Sequence, residues 1–193
     1  MERALFERLA PVPPETGVIA IAARPQIELT SVLRQAGDAP IVLLESPSHL
    51  GNAGAVVRVA AAAGAAAVLT TGTRDPWHPA ALRGSAGLHF ALPVARIEAL
   101  PPTDRPLIAF HPEGAPPGRS GIPASAILAF GTERGGFSPA LLERASERVA
   151  IPMRAGVSSL NLATAVAVGL YAWRLALEAA AGPGPFSRLD SGS

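Results

Sequence analysis

Apolar runs of four to seven residues recur along the chain, separated by stretches in which polar residues break the apolar ones at helical spacing. "GVIAIAA" (17–23), "PIVLLE" (40–45), "AAVLTTG" (66–72), "LHFALPV" (88–94), "PLIAFHP" (106–112), "AILAFG" (126–131) and "RVAIPM" (148–153) predict strands. Most are apolar throughout rather than alternating, as strands covered on both faces are. Helices are predicted over about 52–63, 78–87, 138–146 and 160–181. In the third, Ser138 is the expected N-cap and Pro139 the first helical residue. The fourth stops at "GPGP" (182–185). The alternation predicts one α/β domain with a mainly parallel sheet and helices on both faces. Its expected extent is 26–181, after a residual N-terminal segment at 1–25 and before a tail at 182–193 expected to be disordered. "GAPPGRSG" (114–121) reads as a loop.

Composition narrows the picture only a little. The chain has 193 residues, 49% of them hydrophobic and 16% charged, which favours a globular domain over a disordered one. There is no cysteine, so disulfides and thiolate ligands are excluded. "MERALFERLAPVPPETG" shows no apolar signal region, and together these favour a cytoplasmic location. The mean hydropathy of +0.31 raises the question of a membrane. The longest apolar run, 162–173, falls short of the roughly 18 to 20 residues a span needs. A buried or subunit-interface helix is therefore expected there, and no membrane contact. A net charge of +1 does not mark a nucleic-acid binder. All sixteen basic residues are Arg, which GC-rich codon usage explains and which also suits bidentate phosphate contacts.

In open α/β sheets ligands bind beyond the carboxyl ends of the strands, and three polar or glycine-rich stretches follow strands here. The first is "GNAGAVVRVAAAAG" (51–64), in which Asn52 is the expected N-cap. Arg58, expected in the second turn, leans back toward it, because helical side chains tilt to the N-terminus. Alone, this pair reads more simply as a cap and a surface charge. Its G-x-x-G spacing also departs from G-x-G-x-x-G, which disfavours a Rossmann-like nucleotide-dependent oxidoreductase. The second stretch is "FGTERGGFSP" (130–139), where glycines allow close backbone approach beside Glu133. The third is "IPMRAGVSSLNLATA" (151–165), with Ser158 or Ser159 as a possible cap and Asn161 expected inside the first turn of the last helix.

In this order the three stretches resemble the motifs of the SpoU–TrmH family of SPOUT RNA methyltransferases. Asn52, Gly54 and Arg58 match the first. Gly131, Glu133 and Gly136 match G-x-E-x-x-G. Ile151, Pro152, Met153, Ser159, Leu160 and Asn161 match the I-P-M and S-L-N of the third. "RGSAGLHFALPV" (83–94) resembles the segment between the first two, and the likeness runs from about 40 to 175.

The resemblance implies a SPOUT-type C-terminal trefoil knot and a homodimer joined through the C-terminal helix. It implies transfer of a methyl group from S-adenosylmethionine to a ribose 2′-hydroxyl of tRNA or rRNA, with no metal. It assigns Arg58, Asn52, Glu133, Ser159 and Asn161 to catalysis. It assigns Gly131, Ile151, Met153, Leu160 and Gly136 to the cofactor. Guanidinium is very hard to deprotonate, so Arg58 is better suited to steadying a developing alkoxide than to taking a proton.

The sequence departs from the family pattern at the lead-in "SPSHLGN" (46–52), where Asp-Pro is common, and at Arg134 and Ala163, where small residues and Ser are common. "PPETGVIAIAARP" (13–25) resembles the junction that follows a separate RNA-binding domain in many relatives, so RNA selection is expected to fall on the catalytic dimer's own surface; Arg24, Arg34, Arg74, Arg83 and Arg134 are the candidates, each of which reads more simply as a solvated surface residue. The alternative function is a non-catalytic RNA-binding module with the same fold.

Overall fold

The computed structural model describes residues 3–9, 17–35, 39–116, 121–132 and 135–181. The elements in chain order are α1 (Arg3–Leu9), α2 (Leu29–Gln35), β1 (Ile41–Leu44), α3 (Leu50–Ala63), β2 (Ala67–Thr70) and α4 (Pro79–Gly84). They continue with β3 (Val94–Arg96), β4 (Leu107–Ala115), β5 (Ile127–Phe130), α5 (Pro139–Arg144), β6 (Glu147–Val149) and α6 (Leu162–Ala181). The strands form one six-stranded sheet in the order β3-β2-β1-β5-β4-β6, and every pairing is parallel.

The non-alternating apolar runs have a direct cause. Successive strand side chains face opposite sides, and both sides are covered. Val42, Leu44, Val68, Leu128 and Phe130 pack with Val56, Val57 and Ala60 of α3 and with Val166, Leu170 and Trp173 of α6. Ile41, Leu43, Leu69 and Ile127 face the other layer, with Leu100, Leu141 and the partly buried Leu29, Val32 and Leu33 of α2.

The small residues of α3 serve packing against α4. A Cβ added at Gly54 would lie 2.1 Å from the Ala81 carbonyl oxygen, and one at Gly84 would lie 2.7 Å from the Gly51 oxygen. The two backbones therefore touch. α3 ends at Gly64, whose φ of 76° and N–H bonds to the Ala60 and Ala61 carbonyls form a left-handed C-terminal cap. Arg174, which bridges to Glu178 four residues on, donates to the Ala63 carbonyl there, a cation at the negative end of a helix.

Several expected elements are corrected. The 17–23 run forms no strand; it is largely exposed, with Ile21 wholly so, and it joins neither edge of the sheet. It leads to Arg24, which pairs with Asp75 at 3.1 Å and lies over the Trp77 ring. Residues 88–90 make a 3-10 turn, and the strand there begins only at Val94. β6 ends at Val149, so Ile151, Pro152 and Met153 lie beyond it. α3 starts at Leu50 with His49 at the N-cap position, so Asn52 is the third helical residue rather than the cap, and Arg58 falls in the third turn. α1 and α2 had no counterpart in the predicted elements. The tail at 182–193, part of the 1–25 segment and residues 117–120 of the expected loop lie outside the described residues.

α6 carries two apolar stripes. Leu162, Val166, Leu170 and Trp173 are buried, whereas Val168, Tyr171 and Leu175 are exposed. By length and composition alone Leu162–Ala180 could cross a membrane, a longer stretch than the uninterrupted apolar run suggested. The buried stripe nevertheless packs on the sheet.

Beneath β3, His89 is fully buried between the Ser85 hydroxyl at 2.7 Å and the Pro76 carbonyl at 2.8 Å. The carbonyl can only accept, so Nε2 carries the proton. Burial pushes the His89 pKa below the ordinary histidine value, against a pull upward from the Pro76 carbonyl and the Asp75 charge.

Candidate active site

The carboxyl half of β4, the 131–137 loop after β5 and the 150–161 segment after β6 enclose a pocket of about 530 Å³. Its apolar wall includes Phe110 and Phe130, whose rings stack 4.6 Å apart at 13°. Gly169 of α6 makes room for the first of these, since a Cβ there would lie 2.8 Å from the Phe110 ring.

The 131–137 loop is closed tightly on itself. Thr132 donates to the Gly136 carbonyl at 2.9 Å and accepts back from the Gly136 N–H at 3.2 Å. The Thr132 hydroxyl accepts from Gly135 N–H at 2.7 Å. A Cβ at Gly131 would meet the Gly136 carbonyl carbon at 2.6 Å, and Gly136 has a φ of 63°. Both glycines are therefore required by geometry: one by the close backbone approach, the other by its left-handed conformation. Glu133 and Arg134 lie outside the described residues.

Asn161 immediately precedes α6, and its Oδ1 accepts from Ala163 N–H at 2.9 Å and Thr164 N–H at 3.4 Å. It is the cap of α6, a role expected of Ser158 or Ser159, and it does not sit inside the first turn. Capping commits the amide oxygen, so the amide nitrogen is left to donate, and it donates to Asn52 Oδ1 at 3.2 Å. This bond joins the first and third sequence stretches across 109 positions.

Of the residues singled out from the sequence, Gly131, Gly136, Ile151, Met153, Ser159, Leu160 and Asn161 line this one pocket, and Asn52 is bonded to its rim. Arg58 is not among the lining residues. It is exposed on α3 and makes no hydrogen bond or ion pair with a described residue. Sequence reasoning missed Phe110, His111 and Thr132, which also line the pocket. It also missed Glu45, whose carboxylate accepts two hydrogen bonds from Ser138. The only local sign of Glu45 was an acid closing an apolar strand.

The pocket offers glycine backbone, apolar rings and a helix entrance, which suits a ligand with a flat apolar part and polar groups that seek backbone partners. Among the described residues there is no group of three or more His, Asp or Glu placed to hold a metal ion.

The chain is 37% identical over 155 residues to an uncharacterized tRNA/rRNA methyltransferase of Synechocystis, covering 74% of this chain and 56% of that protein. It is 34% identical over 140 residues to the Bacillus subtilis 23S rRNA (guanosine(2553)-2′-O)-methyltransferase RlmP, covering 68% and 56%. The crystal structure of the SpoU methyltransferase AviRb from Streptomyces viridochromogenes in complex with AdoMet superposes with a TM-score of 0.73 at 27% identity, covering 80% of this chain and 66% of that one. The chain thus spans little more than half the length of these curated relatives. Residues 39–171, which hold the sheet, the pocket and the first half of α6, match the SpoU rRNA Methylase family; the chain belongs to that family.

Proposed function

We propose that the chain is an S-adenosylmethionine-dependent RNA methyltransferase acting on a ribose 2′-hydroxyl of tRNA or rRNA, a homodimer working in the cytoplasm. The observation that carries this reading is the convergence of Gly131, Gly136, Ile151, Met153 and Leu160 on one pocket whose rim holds the Asn161–Asn52 bond. The cofactor fits what is there: the loop approach at Gly131 admits no side chain, and the rings of Phe110, Phe130 and Phe137 give an apolar wall.

When bound, S-adenosylmethionine would supply an electrophilic sulfonium methyl for the 2′-oxygen, with S-adenosylhomocysteine as the leaving group and the hydroxyl proton passing to solvent. The residues of the chain position the reactants and steady charge. Gly131, Gly136, Ile151, Met153 and Leu160 hold the cofactor, largely through backbone. Asn161 and Asn52 fix the α3–α6 corner beside it, with Ser159 and Glu133 completing the centre. The role read for Arg58, exposed on α3, is to grip an RNA phosphate and stabilise the alkoxide, which a permanent cation suits better than proton removal. The exposed stripe of Val168, Tyr171 and Leu175 supports α6 as the subunit interface, since an unbroken apolar stripe on a surface helix marks association. A trefoil knot formed by the 131–137 and 150–161 segments, and a methyltransferase domain at 26–181, belong to the same reading.

Calorimetric titration with S-adenosylmethionine, followed by mapping of 2′-O-methyl sites in host tRNA and rRNA with and without the gene, tests it. Binding together with a site that vanishes is the expected result. Failure to bind the cofactor would instead favour the non-catalytic RNA-binding module.

A further inference from the structure

The pocket loop at 131–137 has a clasp that its own sequence does not supply. In a capping box, the N-cap side chain accepts the N–H of the third helical residue, and an acid at that third position accepts the N–H of the cap. α5 provides the first half, with the Ser138 hydroxyl accepting from Leu141 N–H at 3.3 Å. The third position is Leu141 itself, buried and apolar, so the second half is missing locally. Glu45, 93 residues earlier, provides it. Its Oε2 accepts from Ser138 N–H at 2.8 Å, and its Oε1 accepts from the Ser138 hydroxyl at 2.6 Å.

The same residue holds the other end of the loop. The Glu45 N–H donates to the Phe130 carbonyl at 2.9 Å. Phe130 and Ser138 are therefore both fixed to one residue, and the chain between them puts Gly131, Thr132, Gly136 and Phe137 on the pocket wall. Hydrogen bonds to a carboxylate are short and strong, and here they tie the far end of the loop to the end of β1, outside the Thr132–Gly136 pair that closes the loop itself.

We propose that Glu45 is a positioning residue for the cofactor: its carboxylate holds the 131–137 loop at its binding span and so controls affinity for S-adenosylmethionine without touching it. This rests on the reading of the pocket as a cofactor site. Glu45→Gln keeps the shape but replaces two acceptors by one, and it should weaken S-adenosylmethionine about tenfold, the scale of one charge-assisted bond. Ser138→Asp keeps a cap for Leu141 N–H but sets two carboxylates together, and a similar loss is expected. In the double variant the amide at position 45 can donate to the carboxylate at 138, and affinity should return to within about threefold of the native protein, a non-additivity that contacting pairs show.

In all three, turnover at saturating cofactor should stay within about twofold, since binding terms leave kcat alone. Should Glu45→Gln be unfolded at the assay temperature, Ser138→Ala, which removes only the hydroxyl, takes its place with the same expectation. Native affinity in the single variants, no recovery in the double one, or a fall in kcat with KM unchanged would each overturn the proposal. Native protein that binds no S-adenosylmethionine would overturn the functional reading beneath it, and that shows in the first titration.

Discussion

The two ends of the sheet carry hollows of similar size and opposite character. At the amino ends of the strands, Thr30, Leu33, Arg34, Thr103, Arg105 and Ser125 border a space of about 640 Å³. There Arg105 donates to the Leu33 carbonyl at 2.8 Å and to the Ser125 carbonyl at 2.7 Å. Backbone acceptors are satisfied by a half-buried side chain of the protein, and burial lowers the Arg105 pKa from its ordinary value. At the carboxyl ends the space is slightly smaller, but glycine backbone and aromatic rings form its wall. Loop shape there depends on bonds between distant segments. Volume does not separate the two hollows; the difference lies in which groups face them.

The sharpest way to break this comparison is Arg58→Ala. It should reduce transfer by at least about a hundredfold, the scale of losing one transition-state partner, while S-adenosylmethionine affinity stays within about twofold. Normal turnover in this variant would remove Arg58 from the chemistry. Next is Gly131→Ala, whose methyl would press on the Gly136 carbonyl. Overpacking of about 1–3 kcal/mol should appear as a fivefold or greater loss of cofactor affinity by calorimetry. At the opposite end, Arg105→Ala should cost about 1–3 kcal/mol in urea unfolding, because two carbonyls lose their donor. Its cofactor affinity should not change, and an equal loss at both ends would erase the distinction drawn here.

A smaller effect is expected of Asn161→Asp, which keeps the α6 cap but removes the donor to Asn52. Stability should hold within about 0.5 kcal/mol, while single-turnover transfer slows several-fold. The smallest is His89→Gln. Because burial lowers its pKa in the fold, native His89 contributes stability above the unfolded value of about 6.5, lost as pH falls below that toward the folded value. The substitution should flatten the acid side of the unfolding midpoint against pH.

The sheet was largely legible because strands buried on both faces need long apolar runs, and Ile41–Leu44 and Ile127–Phe130 are such runs. The same criterion misled at 17–23, since apolarity cannot tell a paired strand from an extended segment such as that around Ile21. The pocket residues followed from motif spacing, yet the detail did not. The sequence puts Asn161 inside the first turn, where a poor helix former has no structural reason to be; the structure instead uses it as the cap that aims its amide at Asn52. Glu45 was invisible because a sequence shows capping only within a few residues, and this partner is 93 away.

The contact between α3 and α4 has a consequence for how the chain can change over time. At Gly54 and Gly84 neither helix can accept one more methyl group without parting from the other. Asn52, whose bond to Asn161 depends on where α3 lies, sits two residues from the first of these. The outer face of α4, where Arg83 is exposed, is under no such constraint. Change on that outer face leaves the inner seam, and with it the Asn52–Asn161 bond, in register.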